Sequence, residues 1–191
     1  MEVTKSKTWW TSDTHWFHKN IMKFQEKAGT RLGADHNEMT AMLILIWNQM
    51  VSPNDTVWHL GDVSFGNQNA TIAVLEQLNG NIHLIRGNHD QVVDNVAVRE
   101  KFASIQEYKE LKIDGITVVM SHYPFAQWNK CHHGSFMLHG HCHGSYTGGK
   151  GRRILDVGID NRPNKDMMLW SWEEIKERLE LCEDTEHGHK E

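Results

Sequence analysis

The chain has 191 residues, a formal net charge of -5 at pH 7 and 24% charged residues. This length allows one sizeable core, so we expect a single α/β domain over residues 1–182, followed by a polar, mobile tail over residues 183–191. The acidic balance gives no electrostatic signature of a dedicated duplex-DNA surface. The longest apolar run, residues 41–47, is far below the ~20 residues that cross a bilayer.

Cysteine and histidine usage narrows the class of protein further. The three cysteines form no CxxC pair, and the first residues carry no apolar stretch typical of a secretory signal. We therefore expect a reduced, cytoplasmic setting. The 14 histidines and 8 tryptophans are the outliers of the composition. A surplus of histidine indicates a role beyond packing, because imidazole titrates near neutral pH and is a common metal ligand.

The first half of the chain alternates predicted strands and helices. A helix is predicted from Asp35 or Asn37 to about Met50, from its apolar spacing of three and four residues. Asn69 is expected to cap a shorter helix, and residues 92–103 are also predicted to be helical. The predicted strands of this half cover residues 8–12, 56–60 and 82–85.

The second half is predicted to contain mainly strands and one final helix. The dipeptide Asp114-Gly115 favours a two-residue hairpin, so antiparallel pairing is expected here. Ser171 and Glu174 form a capping-box pattern that opens a helix to about Leu181. Two sheets packed face to face with helices outside follow from this order of elements. The predicted strands of this half cover residues 105–113, 116–121, 136–139 and 153–157.

Five apolar segments end in side chains that bind metals. In open α/β sheets, ligands collect outside the carboxyl ends of strands. Any one of these motifs has an ordinary reading as a turn or a helix cap. Their repetition after five apolar segments instead favours one shared metal site. The motifs are Asp13-Thr14-His15, Gly61-Asp62, Gly87-Asn88-His89-Asp90, Ser121-His122 and Gly140-His141-Cys142-His143.

The candidate metal ligands are two carboxylates, one amide oxygen and four imidazoles. This mixed oxygen and nitrogen set suits Mn²⁺, Fe²⁺, Zn²⁺ or Ni²⁺ better than Ca²⁺. Seven ligands are too many for one tetrahedral zinc but fit two ions that share one bridging group, for which Asp62 is the natural candidate. Two such ions can hold a hydroxide and clamp an in-line displacement at phosphorus. The ligands are Asp13, His15, Asp62, Asn88, His122, His141 and His143.

The ordered set D-x-H, GD, GNHD, H and GHxH resembles the calcineurin-like metallophosphoesterase superfamily. It covers residues 13–143, and residues 155–160 resemble the strand that follows in small bacterial and phage-type members. The resemblance implies a four-layer α/β/β/α sandwich of two mixed β-sheets flanked by helices. It also implies one ion on Asp13, His15 and His143, a second on Asn88, His122 and His141, and Asp62 as the bridge.

The resemblance further implies roles for the GNHD motif. His89 would stabilise the transition state or protonate the leaving oxygen, and Asp90 would orient the His89 imidazole. Two roles are open for His18: it contacts the phosphate of the substrate, or it caps its own loop. Arg152 and Arg153, which follow a glycine-rich loop, are candidate substrate contacts. Trp16, Phe17 and Trp128 could stack a nucleobase or belong to the core.

The predicted function is a dinuclear metal-dependent phosphoesterase that acts through a metal-bridging hydroxide on a small phosphorylated substrate. Manganese is the favoured metal. The protein-phosphatase branch continues its GD motif as GDxxDRG, whereas this chain has Gly61-Asp62-Val63-Ser64-Phe65-Gly66. A nucleotide-type phosphodiester is therefore slightly favoured over a monoester. Two alternatives remain, a nuclease on RNA or single-stranded DNA and a non-catalytic scaffold, and the oligomeric state is open.

Overall fold

The computed structural model describes residues 6–182, so the predicted tail at residues 183–191 lies outside the described part. The helices of this part are α1 (Ile21–Phe24), α2 (His36–Met50), α3 (Gln68–Leu75), α4 (Val96–Arg99) and α5 (Trp172–Glu180). Short 3₁₀ turns cover Gln91–Asp94 and Ile159–Asn161. The strands are β1 (Thr8–Thr11), β2 (Thr56–His59), β3 (Asn81–Ile85), β4 (Ser104–Gln106), β5 (Tyr108–Ile113), β6 (Ile116–Ser121), β7 (Phe136–His139), β8 (Ile154–Asp156) and β9 (Trp170–Ser171).

The first sheet has the strand order β4-β3-β2-β1-β9. Strands β1 to β4 run parallel to their neighbours, while β9 pairs with β1 in the antiparallel direction. Parallel neighbours end at the same edge of a sheet. The loops that follow β1, β2 and β3 therefore emerge side by side.

The second sheet has the strand order β5-β6-β7-β8. Its β5–β6 hairpin turns at Asp114 and Gly115, which both have positive φ (49° and 85°), as predicted. The expectation of an antiparallel second half is wrong beyond this hairpin, because β6–β7 and β7–β8 are parallel. The long connections at residues 122–135 and 140–153 return the chain to the same starting edge, which parallel pairing requires.

The predicted strand at residues 105–113 is two strands in different sheets. Ser104–Gln106 (β4) extends the first sheet beside β3, and Tyr108–Ile113 (β5) begins the second sheet beside β6. The exposed Glu107 lies at the crossing. Residues 105–113 contain no glycine, proline, asparagine or aspartate that would mark a turn, so the long-range pairing is what reveals the change of sheet.

Helix starts follow side-chain capping. The Asp35 carboxylate accepts from the backbone N–H groups of Asn37 and Glu38, and Ser171 forms the predicted capping box with Glu174. Helix α3 is capped by Asn67, which accepts from the Ala70 N–H at 3.0 Å, and not by Asn69. The helix predicted at residues 92–103 is shorter, since Asn95 starts α4 and separates it from the preceding 3₁₀ turn.

Three apolar clusters hold the layers together. Helices α2 and α3 cover the outer face of the first sheet through residues such as Met39, Leu43 and Val74. The cluster between the sheets joins Trp10 and Trp58 to strands β6 to β8 and to helix α5. On the outer face of the second sheet, the turns around Trp128 pack against strands β6, β7 and β8. The predicted sandwich of two mixed sheets with flanking helices is confirmed.

None of the helices in residues 6–182 is long and apolar enough to cross a membrane. The longest, α2, has 15 residues and exposes part of its surface.

Asp55 is a buried carboxylate that fixes the start of the first sheet. It accepts from the backbone N–H groups of Lys7 and Ser52 and from the Trp9 indole, at 2.8–3.0 Å. Burial alone would raise the pKa of Asp55. The three donors lower it by more than burial raises it, so its pKa lies below the ordinary value.

We expect Asp55→Ala to lower the free energy of unfolding by about 1–3 kcal/mol at pH 7, because buried donors lose their acceptor. A folded-state pKa below the unfolded one means that this stabilisation is complete above about pH 4 and declines as the pH falls further. Urea unfolding at pH 7 and pH 3 measures both effects. The exposed carboxylate of Asp94 is the control, and Asp94→Ala should stay within about 0.5 kcal/mol of the parent. Equal losses in the two variants, or a loss at Asp55 that is independent of pH, would contradict the prediction.

Candidate metal centre

The loops after β1 and β2 are joined along their backbones. The Asp13 N–H donates to the Gly61 carbonyl at 2.9 Å, and the His15 N–H donates to the Asp62 carbonyl at 3.1 Å. The loops after β3, β6 and β7 reach the same place, because all these strands end at neighbouring edges of the two sheets. The five motifs of the sequence therefore meet in space.

The first group of possible ligands consists of Asp13, His15 and His143, whose ligand atoms lie within 4.8 Å of one another. His15 Nε2 lies 3.6 Å from Asp13 Oδ1 and 3.6 Å from Asp62 Oδ2, which is too long for a hydrogen bond. Both ring nitrogens of His15 are buried and have no hydrogen-bond partner among the described residues. Such an arrangement fits a shared cation, which would satisfy the ring and both carboxylates.

The second group consists of Asp62, His122 and His141, again within 4.8 Å. His122 Nδ1 lies 2.7 Å from the Leu60 carbonyl, to which it can only donate. In the neutral ring, Nε2 then carries a lone pair. This atom faces the Asn88 Oδ1 at 2.9 Å and the Asp62 Oδ1 at 3.6 Å. Electron-rich atoms that face each other in this way also fit a cation.

Asp62 lies between the two groups. Its Oδ2 faces His15 of the first group, and its Oδ1 faces His122 of the second. The Oδ1 atom also accepts from the His89 N–H at 2.9 Å, which ties the GNHD loop to this carboxylate. A carboxylate with one oxygen toward each group has the form that two neighbouring cations require.

The ligand loops are held in an uncommon backbone conformation. Five of the ten non-glycine residues with positive φ in the described part are possible ligands. Such conformations cost energy and cluster at functional sites. The five are Asp13 (φ 55°), His15 (φ 51°), Asp62 (φ 57°), His141 (φ 67°) and His143 (φ 48°).

Two glycines of the motifs allow this close assembly. A Cβ at Gly61, which has φ +99°, would lie 2.5 Å from His122 Nδ1. A Cβ at Gly140 would lie 1.9 Å from Ser12 Oγ and 2.6 Å from Asp13 Oδ2. The glycines directly before Asp62 and His141 are therefore a steric requirement of the site.

A buried ion-pair network supports the first group. Asp160 accepts from His143 Nδ1 at 2.6 Å and from Arg31 Nε at 2.8 Å, and Thr30 also donates to it. Arg31 in turn donates to the Asp13 and Thr14 carbonyls. Asp160 thereby leaves His143 Nε2 directed at Asp13, 3.9 Å away.

The sequence reading gave no role to Arg31, Asp156 or Asp160. Asp156 lies at the end of β8, where its carboxylate accepts from the backbone N–H groups of Gly144 and Gly158 at 2.8 Å. Burial, with the nearby Asp13 charge, raises the pKa of Asp156 to about 7. The sequence does hold a signal for Asp156 and Asp160. They lie in the segment 155–160, where acidic residues follow an apolar strand as in the other motifs.

The charges of the first group are coupled. Burial raises the pKa of Asp13, but the imidazoles of His15, His143 and His122 lower it well below its usual range. Burial lowers the pKa of His143, yet the bond to Asp160 and the Asp13 charge raise it above the ordinary value. Two anionic carboxylates, Asp13 of the group and Asp160 behind it, therefore lie on either side of the His143 imidazole.

Asp90 does not hold the His89 imidazole, which corrects the expectation from the family resemblance. Its Oδ2 accepts from the Asp62 and Gly87 N–H groups at 2.9 and 2.7 Å, and its Oδ1 accepts from the Val63 N–H at 2.8 Å. The carboxylate is fully buried, whereas the His89 side chain is exposed. Asp90 is therefore a positioning residue that fixes the GD loop to the GNHD loop.

His18 and His89 border the first group. The His18 ring lies 5.6 Å from the His15 ring, and the His89 ring lies 6.2 Å from it. The ring of Phe65 contacts all three, with centroids 4.3–5.1 Å apart. His18 therefore lies close enough to the site for its predicted contact with substrate.

Arg152 and Arg153 lie just before β8, and their contact with substrate stays a prediction. Both precede β8, whereas the ligands lie beyond the carboxyl ends of the strands. Arg152 donates to the Ala126 carbonyl and lies over the Trp128 ring, 5.0 Å from its centroid. Trp16 and Trp128 are themselves buried and belong to the core.

Comparisons with known proteins agree with this site. A model of the calcineurin-like phosphoesterase family matches residues 6–179. The chain is 29% identical to the Gene 66 protein of Mycobacterium phage L5, over 97% of this chain and 97% of that protein. It is 32% identical to an uncharacterized protein of Methanocaldococcus jannaschii, over 75% of this chain and 73% of that protein.

A solved structure shares the fold. The crystal structure of a protein of unknown function from Aquifex aeolicus superposes with a TM-score of 0.71, covering 91% of this chain and 100% of that chain, at 22% identity. The family match, together with the possible ligand groups at the shared edge of the two mixed sheets, supports a metal-dependent hydrolase. With the family model matched over nearly its whole length, the chain belongs to the calcineurin-like phosphoesterase family.

The role of Asp90 can be tested by stability. We expect Asp90→Asn to lower the free energy of unfolding of the metal-free protein by about 1–3 kcal/mol, because an amide cannot accept from all three buried N–H groups. Chemical denaturation measures this difference. The exposed neighbour provides the control, and His89→Ala should change stability by no more than about 0.5 kcal/mol. If the two variants are equally stable, Asp90 does not hold these loops together.

Proposed function

We propose that this chain is a dinuclear metal-dependent phosphoesterase that slightly prefers nucleotide-type phosphodiesters to monoesters. The observation that carries the proposal is the presence of two ligand groups on either side of one carboxylate, Asp62. Asp13, His15 and His143 would hold one ion, and Asn88, His122 and His141 would hold the other. The unpartnered buried nitrogens of His15 support this assignment.

Two divalent ions, when bound, would lower the pKa of a water molecule and neutralise the phosphoryl oxygens. The mixed oxygen and nitrogen donors favour Mn²⁺, with Fe²⁺, Zn²⁺ and Ni²⁺ as alternatives. The chain contributes fixed ligand positions, since Asp90 and Asp160 hold the loops and rings in place. Preorganisation of this kind avoids rearrangement during the reaction.

His89 is the proposed general acid. Its side chain is exposed beside the first ligand group, and its backbone N–H is fixed to the shared carboxylate of Asp62. An imidazole nitrogen in this position can donate a proton to the departing ester oxygen, which would otherwise leave as an alkoxide. Among the described residues, no hydrogen bond from the His89 ring to a carboxylate competes with a bond to substrate.

The first experiment uses metal-stripped protein reconstituted with Mn²⁺. We expect metal-dependent turnover of bis-p-nitrophenyl phosphate, with slower turnover of p-nitrophenyl phosphate. Asp62→Asn should nearly abolish both rates, because one oxygen of the shared carboxylate and its charge are lost. Initial rates and metal content are measured together. Turnover without metal, or in Asp62→Asn at the parent rate, would refute the dinuclear assignment, and a faster monoester rate would refute the diester preference.

The role of His89 requires a separate variant. We expect His89→Ala to lower the rate by about 10²–10⁴-fold while two metal ions remain bound, because only a proton donor is removed. Metal content by mass spectrometry and initial rates make the test. His36, the first residue of α2, lies outside both ligand groups, so His36→Ala is the matched control. Loss of metal in His89→Ala would make His89 a ligand instead.

A further inference from the structure

Three exposed aromatic rings surround the ligand groups. Phe65 is 40% exposed, Tyr123 is 46% exposed and Phe24 is 69% exposed, although side chains of this kind are usually buried. Each ring contacts a histidine of the site or its border. Exposed apolar surface at a functional site indicates contact with a ligand.

Phe65 stands beside the first ligand group. Its ring is stacked on His15, with centroids 5.1 Å apart and an interplanar angle of 18°. It also contacts the His89 ring, 4.9 Å away. The Phe65 N–H donates to the Trp16 carbonyl at 2.9 Å, which fixes the ring's backbone in the joined loops. A planar surface is thus held next to the proposed proton donor.

Tyr123 stands beside the second ligand group. Its ring centroid lies 4.6 Å from that of His141 and 5.1 Å from that of His122. Asp62 lies between the two ligand groups. Phe65 therefore lies on the side of Asp62 that faces His15, and Tyr123 lies on the side that faces His122. A phosphodiester likewise carries one substituent on each side of its phosphorus.

We propose that Phe65 and Tyr123 form two stacking subsites, and that the substrate is a dinucleotide-sized phosphodiester with a base on each side of the scissile phosphorus. This inference rests on the proposed function. Water adds to phosphorus and releases one proton to solvent, the bond from phosphorus to the leaving oxygen breaks, and that oxygen takes a proton from His89, which regains one from solvent. The products are one nucleoside and one nucleoside monophosphate. The base on the leaving side stacks on Phe65, since Phe65 also contacts His89.

Charge favours a short substrate over a long strand. A polynucleotide requires a track of free cationic side chains along its backbone. This chain has a net charge of -5, and two of its surface cations, Arg86 and Lys101, are paired with Asp94 and Glu76. The stacking subsites therefore suit two nucleotides better than a polymer.

The test uses four dinucleotides that share one backbone. One has thymine on both sides, two have a base on one side and an abasic tetrahydrofuran residue on the other, and the fourth has no base. We expect loss of either base to lower kcat/KM of the Mn²⁺-loaded protein by about 5- to 100-fold, as expected for one base stacked on an aromatic ring. Chromatography of the products gives the rates.

Variants connect each base to its ring. In Phe65→Leu, removing the leaving-side base should have little further effect, while removing the other base should still lower kcat/KM. Tyr123→Leu should show the opposite pattern. Phe65→Tyr and Tyr123→Phe keep a ring and should restore both effects. Tyr108 is an exposed aromatic on β5, outside the site, so Tyr108→Leu should behave as the parent.

Outcomes separate this inference from the proposed function. Metal-dependent turnover of bis-p-nitrophenyl phosphate without any effect of the bases would overturn the stacking subsites alone. Base effects that persist unchanged in both leucine variants would do the same, and faster cleavage of a labelled 20-mer than of the dinucleotide would overturn the preference for short substrates. A merely structural role of Phe65 would lower all four rates equally.

A binding measurement covers the case in which no substrate is turned over. The uncharged methylphosphonate analogue of the thymine dinucleotide is titrated into metal-free protein and followed by NMR. Stacking predicts upfield shifts of the thymine protons that weaken in Phe65→Leu and in Tyr123→Leu, but not in Tyr108→Leu. Unchanged thymine signals in the parent protein would overturn the inference.

Discussion

Two buried carboxylates, Asp13 and Asp62, set the constraint on which the rest of the site depends. Both are almost fully removed from water, and a buried negative charge is costly unless it is compensated by nearby positive groups or hydrogen bonds. The described residues supply imidazoles at 3.6–3.9 Å and backbone N–H groups, such as that of His141 at 2.9 Å from Asp13 Oδ2. These contacts compensate the charge in part, and divalent cations would complete the compensation.

The topology brings these charges together at little cost in chain length. Parallel strands of both sheets end at one place, so the first four residues after β1, β2, β3, β6 and β7 carry all the ligands. The cost appears instead as backbone strain, since five ligand residues have positive φ. Asp90 and Asp160 hold this strained arrangement, the first by joining two loops and the second by fixing His143. Stability elsewhere in the fold therefore supports geometry at the site.

The ligand positions could be predicted because each lies directly after an apolar strand, where local sequence carries the signal. The role of Asp90 could not, because its partners are backbone N–H groups, which every residue except proline provides. The pair of Arg31 and Asp160 is 129 positions apart in the chain, so no local pattern connects them. The change of sheet at Glu107 could not be predicted for a similar reason, since no turn-forming residue marks it and the two strands differ only in their distant partners, β3 and β6.

The segment after the GD motif differs between this chain and the protein-phosphatase branch. Where the protein-phosphatase branch has the Asp-Arg pair of GDxxDRG, this chain has Phe65 and Gly66. Gly66 leaves room for Phe17, whose ring would lie 2.6 Å from a Cβ at this position, and an arginine there would meet the same obstacle. This chain thus has an aromatic ring beside His15 and His89 at the place where that pattern has a charged pair. The proposed stacking subsite at Phe65 depends on this difference in sequence, because an aromatic ring gains binding energy from a planar substituent of the substrate.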